Sequence, residues 1–183
     1  MAVARVLGAD GVGPKRCMAD RDGSSRDEHP LNPDVRWLLL TLPSAMIFDD
    51  HDVRDDWNTS KAWREQMAAK PWWRDRIVGG LAWYWIYQYI GNLAPAERAR
   101  DRLWAAVHMA DGDAGPLVDD HAAAADAEPA GTRWSFARDV GRVRLVVLDS
   151  RAARVLEPGQ RALLNGNSPL RAVFRHVRRH NAS

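Results

Sequence analysis

The segment WWRDRIVGGLAWYWIYQYIGNL, residues 72–93, limits the possible folds of this 183-residue chain more than any other. Its pattern predicts a helix over about residues 74–90, with Gly91 and Asn92 as the stop signal. Bulky apolar groups occupy most faces of this helix, which is typical of a helix buried on several sides. A helix of this kind is typical of the interior of a larger protein, whereas the length of the chain suits one domain with its own core.

Six of the nine tryptophans lie between Trp57 and Trp85, and basic residues are interleaved with them. Aromatic rings beside basic side chains can stack on nucleic-acid bases, and they can also bind carbohydrate. In the competing interpretation the rings are structural and fill the space around the apolar helix. The density of bulky groups along that helix favours the structural interpretation.

The second informative segment is MIFDDHDVRDDWNTS, residues 46–60, in which five aspartates fall within eight residues around a histidine. The apolar AMIF, residues 45–48, predicts a brief strand just before the aspartates. Clustered carboxylates repel one another, and their pKa values rise unless a cation compensates. A hard metal ion is such a cation, because aspartate oxygens and a neutral imidazole are suitable ligands.

A plain structural role explains the same aspartate-rich composition. Short polar side chains favour the residue that begins a helix, where their oxygens accept backbone N–H groups. An acidic surface loop could therefore cap the following helix through any of four candidates: Asp55, Asp56, Asn58 and Thr59. Composition alone leaves the metal-site and capping interpretations both open.

The remaining pattern predicts several further helices and one hairpin. Helices are expected over about residues 33–42 and 60–69, from Pro95 to the DGDAG segment, and within LVDDHAAAADAEPAG. RWSFARDV and RVRLVVLDS, joined at Gly141, predict a β-hairpin. Residues 1–33 are predicted to be irregular, residues 34–161 to form the core region, and residues 162–183 to form a basic tail.

Charge and cysteine content exclude several classes of protein. The 24 acidic residues nearly cancel the 26 basic ones, so a nucleic-acid partner is not expected. Cys17 is the only cysteine, so neither an internal disulfide nor a thiolate zinc site is expected. The N-terminal segment MAVARVLGADGVGPKRC has no apolar stretch of signal-peptide length, and no apolar run is long enough for a transmembrane helix, which makes the cytoplasm the default expectation.

The aspartate-rich segment resembles the signature of alkaline phosphatase D-like (PhoD-type) metallophosphatases, within the calcineurin-like phosphoesterase superfamily. Three further segments match in order: KPWWRDRIVGGLAWYWIYQYIGNLAP, ADGDAGPLV and GTRWSFARDVGRVRLVVLDSRAARVLEPGQR. The resemblance covers about residues 34–161. It implies an α/β fold, here a partial αββα sandwich with an incomplete sheet and with helices after the aspartate-rich loop. It also implies hydrolysis of small phosphomonoesters or phosphodiesters at a centre of two metal ions, drawn from Fe, Ca, Mn or Zn.

The resemblance also implies roles for individual residues. DDHD stands where the superfamily has a Gly-Asn-His-Asp/Glu motif, so Asp50 would be a metal ligand and His51 the catalytic histidine beside the phosphate. The residues implied to support the site or the substrate are Asp49, Asp52, Arg54, Asp55, Asp56, Asn58, Asp149 and Arg151. Asp149 and Arg151 would lie at the end of a neighbouring core strand.

The remaining family motifs have no counterpart here. The family begins with an Asp or Cys ligand and a Gly-Asp-x-x-Tyr segment, and it ends with later histidine motifs. The tail offers only His176 and His180 among four arginines, a pattern more typical of a solvated basic helix. We therefore expect an internal, inactive piece of a longer enzyme, loosely packed or aggregating because the Trp83–Tyr89 helix and the Leu145–Leu148 strand lack partners. A non-catalytic remnant or interaction module is the alternative, and a nucleic-acid binder acting through the basic tail is a third.

Overall fold

The computed structural model describes residues 32–154, together with residues 156 and 158. The predicted irregular segment 1–33 lies outside the described residues except for its last two, and the basic tail, with His176 and His180, lies wholly outside them. The described part combines helices with a small antiparallel sheet of two strands. The predicted mixture of helices and strands is confirmed at this coarse level.

Six helices of four residues or more follow one another before the hairpin in the described part. Their bounds are α1 Pro33–Thr41, α2 Lys61–Ala68, α3 Trp73–Tyr84, α4 Pro95–Arg98, α5 Arg102–Met109 and α6 Gly115–Ala127. Helix α3 continues through a π-helical turn, Trp85–Tyr89, into a last turn, Ile90–Asn92. The predicted helices 33–42, 60–69 and 74–90 are thus confirmed to within two residues at each end. None of the described helices has the length and apolar character needed to cross a membrane.

Polar side chains fix where three of these helices begin. Asn32 caps α1 by accepting the N–H of Asp34, and Ser60 caps α2 in the same way. Asp101 accepts the N–H of Trp104 at 2.7 Å and begins α5. This cap divides the single helix predicted from Pro95 onward into α4 and α5, because the backbone of Asp101 is extended where α-helical angles would be required.

The apolar helix lies at the centre of the core. Helix α6 packs along α3 through Val118, Ala122 and Ala125, whose small side chains allow close approach. Gly80 of α3 faces the aspartate-rich segment, and a Cβ there would lie 3.1 Å from Cγ2 of Val53. The absence of a side chain at Gly80 therefore lets this segment pack directly against α3.

The hairpin joins the core through its first strand. β1, Phe136–Val140, pairs with β2, Val143–Val147, and Gly141 in the turn has φ +59°. Arg138 donates to the carbonyl of Leu93 at 2.9 Å, which ties the hairpin to the segment just after α3. The hairpin prediction is confirmed, including the turn at Gly141.

The predicted AMIF strand is wrong. Residues 43–49 run without regular structure and join no sheet in the described part of the chain. Instead, the side-chain amide of Asn92 contacts both the N–H and the carbonyl of Met46, at 3.3 and 2.6 Å. One side chain thus satisfies the two backbone groups that a neighbouring strand would otherwise pair.

Helix α1 contrasts with the other long helices because none of its residues is buried. Trp37 is 65% exposed and Leu40 is 76% exposed, and four further large apolar residues of the segment are also exposed: Val35, Leu38, Leu39 and Leu42. An apolar surface on most sides of a helix is unusual in a free monomer.

The Trp83–Tyr89 helix and the Leu145–Leu148 strand were expected to lack partners, and the structure shows this for only part of each. Trp85 and Ile86 are buried in the core, whereas Trp83 and Tyr87 are exposed and stack on each other with ring centroids 4.5 Å apart. Leu145 of β2 is exposed as well. Half of the central helix is therefore covered by the described fold, and its outer face is open.

Candidate metal-binding site

The aspartate-rich segment is a series of turns anchored in the core. Phe48, Val53 and Trp57 are almost fully buried, and the rings of Phe48 and Trp57 meet edge to face at 5.1 Å. The polar residues between these anchors are therefore held at the surface of the core in a fixed order. The segment is therefore an ordered loop with buried apolar anchors, and most of its polar side chains, apart from those of Asp50 and Asn58, are accessible to solvent.

Two left-handed residues shape the end of this loop. Asp56 has φ +64° and Asn58 has φ +61°. Aspartate and asparagine adopt this region more readily than other residues with a side chain, which explains their presence here. Neither residue caps α2, because Ser60 does so. The capping alternative is therefore wrong for the four candidates named from the sequence.

Asp49, Asp50 and His51 form the one group of three potential metal ligands that lie close together among the described residues. Each offers a ligand atom, and these atoms all lie within 4.8 Å of one another. Nδ1 of His51 is 3.4 Å from Oδ1 of Asp50 and 3.7 Å from Oδ1 of Asp49. The side chain of His51 is 76% exposed and so is accessible to a solute.

The neighbouring aspartates support the backbone of the loop. Oδ2 of Asp52 accepts the N–H of Asp49 at 3.0 Å, and Oδ1 of Asp49 accepts the N–H of His51 at 2.8 Å. Asp55 is exposed, with Oδ1 3.9 Å from Nε2 of His51. Arg54 lies over the ring of Trp72 at 5.7 Å. These contacts bring Asp49, Asp52 and Asp55 to the part of the loop that holds His51, whereas Arg54 packs against Trp72.

Asp50 is the buried member of the cluster. Its side chain is only 8% exposed, and Oδ2 lies 2.9 Å from a terminal guanidinium nitrogen of Arg151. The same oxygen accepts the N–H of Asp56 at 3.3 Å. A buried carboxylate needs such compensation, and here a guanidinium of the same chain supplies it.

Residue 151 also holds the far end of the loop. Its carbonyl accepts the side-chain N–H of Asn58 at 2.8 Å, and Asn58 is fully buried. The side-chain oxygen of Asn58 is 3.4 Å from Arg64, which also forms an ion pair of 3.2 Å with Asp126. Arg151 thus joins Asp50 and Asn58 across eight residues of the loop, and Asn58 is a structural residue.

Asp149 organises the turn that carries Arg151. Its carboxylate accepts three backbone N–H groups, from Arg151, Ala152 and Ala153, at 2.8–3.1 Å. Burial raises the pKa of Asp149, and these hydrogen bonds oppose the rise. Asp149 and Arg151 follow β2, as expected, but β2 pairs only with β1 among the described strands. They reach the aspartate-rich loop through a turn and not along a shared sheet.

The cluster fits one cation better than two. Two carboxylates and an imidazole are suitable ligands for a single ion such as Mn²⁺. A centre of two ions needs further ligands, and the described residues offer no second group of three such side chains within reach. Arg151 and Arg154 add positive charge beside Asp50. The pKa of Arg154 is lowered, mainly by its burial and secondly by the nearby charge of Arg151.

Sequence reasoning missed several residues that hold the site together. Asn92 fixes Met46 just before the loop, Arg64 reaches Asn58, and Ser135 accepts the N–H of Asp149 at 2.9 Å. Their partners lie 6 to 46 residues away along the chain. Among these three residues only Asn92, at the end of the apolar helix, stands in a sequence context that could have indicated such a role; Arg64 lies in the polar segment SKAWREQ.

No protein-family model, no curated protein and no solved structure matches this chain at a significant level.

Proposed function

We propose that this chain is the aspartate–histidine centre of an alkaline phosphatase D-like metallophosphatase, a member of the calcineurin-like phosphoesterases. The observation that carries the proposal is the group of ligand atoms from Asp49, Asp50 and His51 within 4.8 Å of one another. The sequence resemblance over residues 34–161 supports it. In this proposal the described helices and hairpin are part of an αββα sandwich.

The proposal assigns distinct roles within the cluster. Asp50 and Asp49 supply hard oxygen ligands to one divalent or trivalent cation, Mn²⁺ or an ion of Fe, Ca or Zn. A bound metal ion would polarise a phosphate-ester oxygen and lower the pKa of a bound water. In this proposal Nδ1 of His51 is the third ligand atom of the cation, and the rest of its exposed ring contacts the phosphate or helps to protonate the leaving oxygen.

The ligand count argues against turnover by this chain. In-line attack on a phosphate ester in this class of enzyme relies on two ions that stabilise the attacking and the leaving oxygen. The cluster supplies ligands for one. We therefore propose an incomplete centre that binds a cation and that does not hydrolyse phosphate esters.

Calorimetry with Mn²⁺ tests the ligand assignment. Asp50→Asn and His51→Ala should each weaken Mn²⁺ binding by at least about tenfold, because the first replaces a charged carboxylate with a neutral amide and the second removes the ligand nitrogen. Asp120→Asn is the matched control, since it removes one exposed carboxylate from α6 and should leave the affinity unchanged. Equal binding by the wild type and the two ligand variants would disprove the assignment.

A non-catalytic interaction module is the second candidate, and one specific observation favours it. Helix α1 exposes Trp37, Leu40 and four neighbouring apolar residues, and none of its residues is buried. Such a surface is typical of a segment that packs against another polypeptide. Binding of a protein partner that survives His51→Ala and is lost on charge substitution in α1 would favour the module over the enzyme fragment.

A further inference from the structure

We infer that Arg151 takes the place of a cation at Asp50, so that the guanidinium holds the cluster in a closed form and a metal ion binds only by displacing it. This regulation of the cluster of Asp49, Asp50 and His51 rests on the proposed binding of a cation there. It follows from the contact between Arg151 and Asp50, which the phosphoesterase assignment does not require.

The geometry places the guanidinium where it competes for the one buried carboxylate. A terminal nitrogen of Arg151 lies 2.9 Å from Oδ2 of Asp50, whereas the other oxygen, Oδ1, faces His51 at 3.4 Å. Any cation held by Asp50 and His51 would lie within a few ångströms of this guanidinium. Two positive groups so close together repel each other strongly in a partly buried site.

The burial of both partners makes the competition strong. The side chain of Asp50 is 8% exposed and that of Arg151 is 23% exposed, so water screens their attraction less than at an open surface. Asp50 needs one compensating positive charge, and the guanidinium already provides it. A metal ion at Asp50 is therefore an alternative to Arg151 and not an addition to it.

The backbone allows Arg151 to leave without unfolding the loop. The carbonyl of Arg151 stays bonded to Asn58, and its N–H stays bonded to Asp149. These two contacts involve only the main chain of residue 151. The guanidinium can therefore rotate away from Asp50 while the turn and the loop remain joined.

The test compares Mn²⁺ affinity by calorimetry in the full chain and in five variants, the first of which is Asp50→Asn. Arg151→Gln removes the positive charge and keeps a polar side chain, and it should bind Mn²⁺ at least about tenfold more tightly than the wild type. The double variant Asp50→Asn/Arg151→Gln should lose this gain. Arg151→Lys should stay close to the wild type, because a cation still faces Asp50. Arg142→Gln, the matched control, removes one exposed arginine in the hairpin turn and should change nothing.

The outcomes separate this inference from the proposed function. If the wild type and Arg151→Gln bind Mn²⁺ with equal affinity, and Asp50→Asn weakens both, the metal site stands and the role of Arg151 is disproved. If neither binds Mn²⁺, the site itself is disproved and the inference with it. If Arg151→Gln unfolds, addition of Mn²⁺ should restore its circular dichroism spectrum, since the ion replaces the missing charge. A failure of Mn²⁺ to restore it would overturn the inference.

Discussion

The side-chain amide of Asn92 forms hydrogen bonds with both backbone groups of Met46, which lies 46 residues earlier in the chain. Asn92 is 2% exposed and ends the last turn that follows α3. The amide thereby connects the end of the central helix with the extended segment that leads into the aspartate-rich loop. This connection is one of the contacts that hold the aspartate-rich loop on the core, together with the buried side chains of Phe48, Val53 and Trp57.

Replacement of this amide should destabilise the fold. Asn92→Ala removes the hydrogen bond to the N–H of Met46 and the shorter of the two hydrogen bonds to its carbonyl, which keeps the one from Tyr84. We expect the free energy of unfolding to fall by about 1–3 kcal/mol. Urea unfolding followed by tryptophan fluorescence measures the change. Tyr84→Phe is the control at the same carbonyl, because it removes one long hydrogen bond of 3.3 Å and should cost about 0.5–1.5 kcal/mol. An Asn92→Ala cost below that of Tyr84→Phe would contradict the role given to Asn92.

The buried carboxyl group of Asp149 should make the stability depend on pH. Burial raises the pKa of Asp149 in the folded state. At pH values between the ordinary aspartate pKa and the raised one, folding is therefore accompanied by uptake of a proton. The protonated group contributes stability that is complete below the ordinary pKa and is lost as pH rises through the raised pKa. NMR titration of the Asp149 carboxyl carbon should therefore give a pKa above the ordinary value.

Asp149→Asn provides the matching test of this pH dependence. The variant keeps one acceptor oxygen, loses the other, and cannot titrate at this position. We expect a lower free energy of unfolding at every pH, by about 1–3 kcal/mol, and a flatter dependence on pH through the titration range. Urea unfolding at a series of pH values measures both effects. An unchanged slope would show that another group causes the pH dependence.

The exposed surface of α1 should make the chain associate with itself. Trp37 and Leu40 present apolar area to solvent, and its burial between copies is favourable at about 25 cal/mol per Å². Leu40→Glu should lower the fraction of oligomer or aggregate in sedimentation velocity, because a buried charge would oppose the contact. Lys70→Glu, a charge change outside α1, should leave the fraction unchanged. A monomeric wild type with a sharp, cooperative melt would contradict this prediction.

Hydrolysis of phosphate esters should be absent. We expect no release of p-nitrophenol from p-nitrophenyl phosphate or its bis-ester above a buffer blank containing the same metals, because the described cluster supplies ligands for one ion. If activity is found, His51→Ala tests whether the cluster causes it. His108→Ala is the matched control, because it removes a histidine away from the cluster. Activity that survives purification and is lost in His51→Ala alone would show that ligands outside the cluster complete the centre.

The sequence by itself determined most of the helices, the hairpin and the central position of the apolar helix, but not the division at Asp101 or the open face with Trp83 and Tyr87. These features follow from local rules: apolar side chains recur along α3, Asn32 and Ser60 are good caps, and Gly141 adopts the turn that a hairpin needs. The grouping of Asp49, Asp50 and His51 was also predictable, because three consecutive residues in a tight loop cannot lie far apart.

Only the tertiary structure decided what the aspartate-rich loop contacts. The AMIF segment has the composition of a strand, yet it pairs with the side chain of Asn92 because no described strand lies beside it. Asp50 and Asn58 meet Arg151 about a hundred residues later, and nothing in the local pattern of either segment encodes that contact. Contacts across such separations depend on how all the elements pack, since the energy of each depends on burial that the whole fold creates.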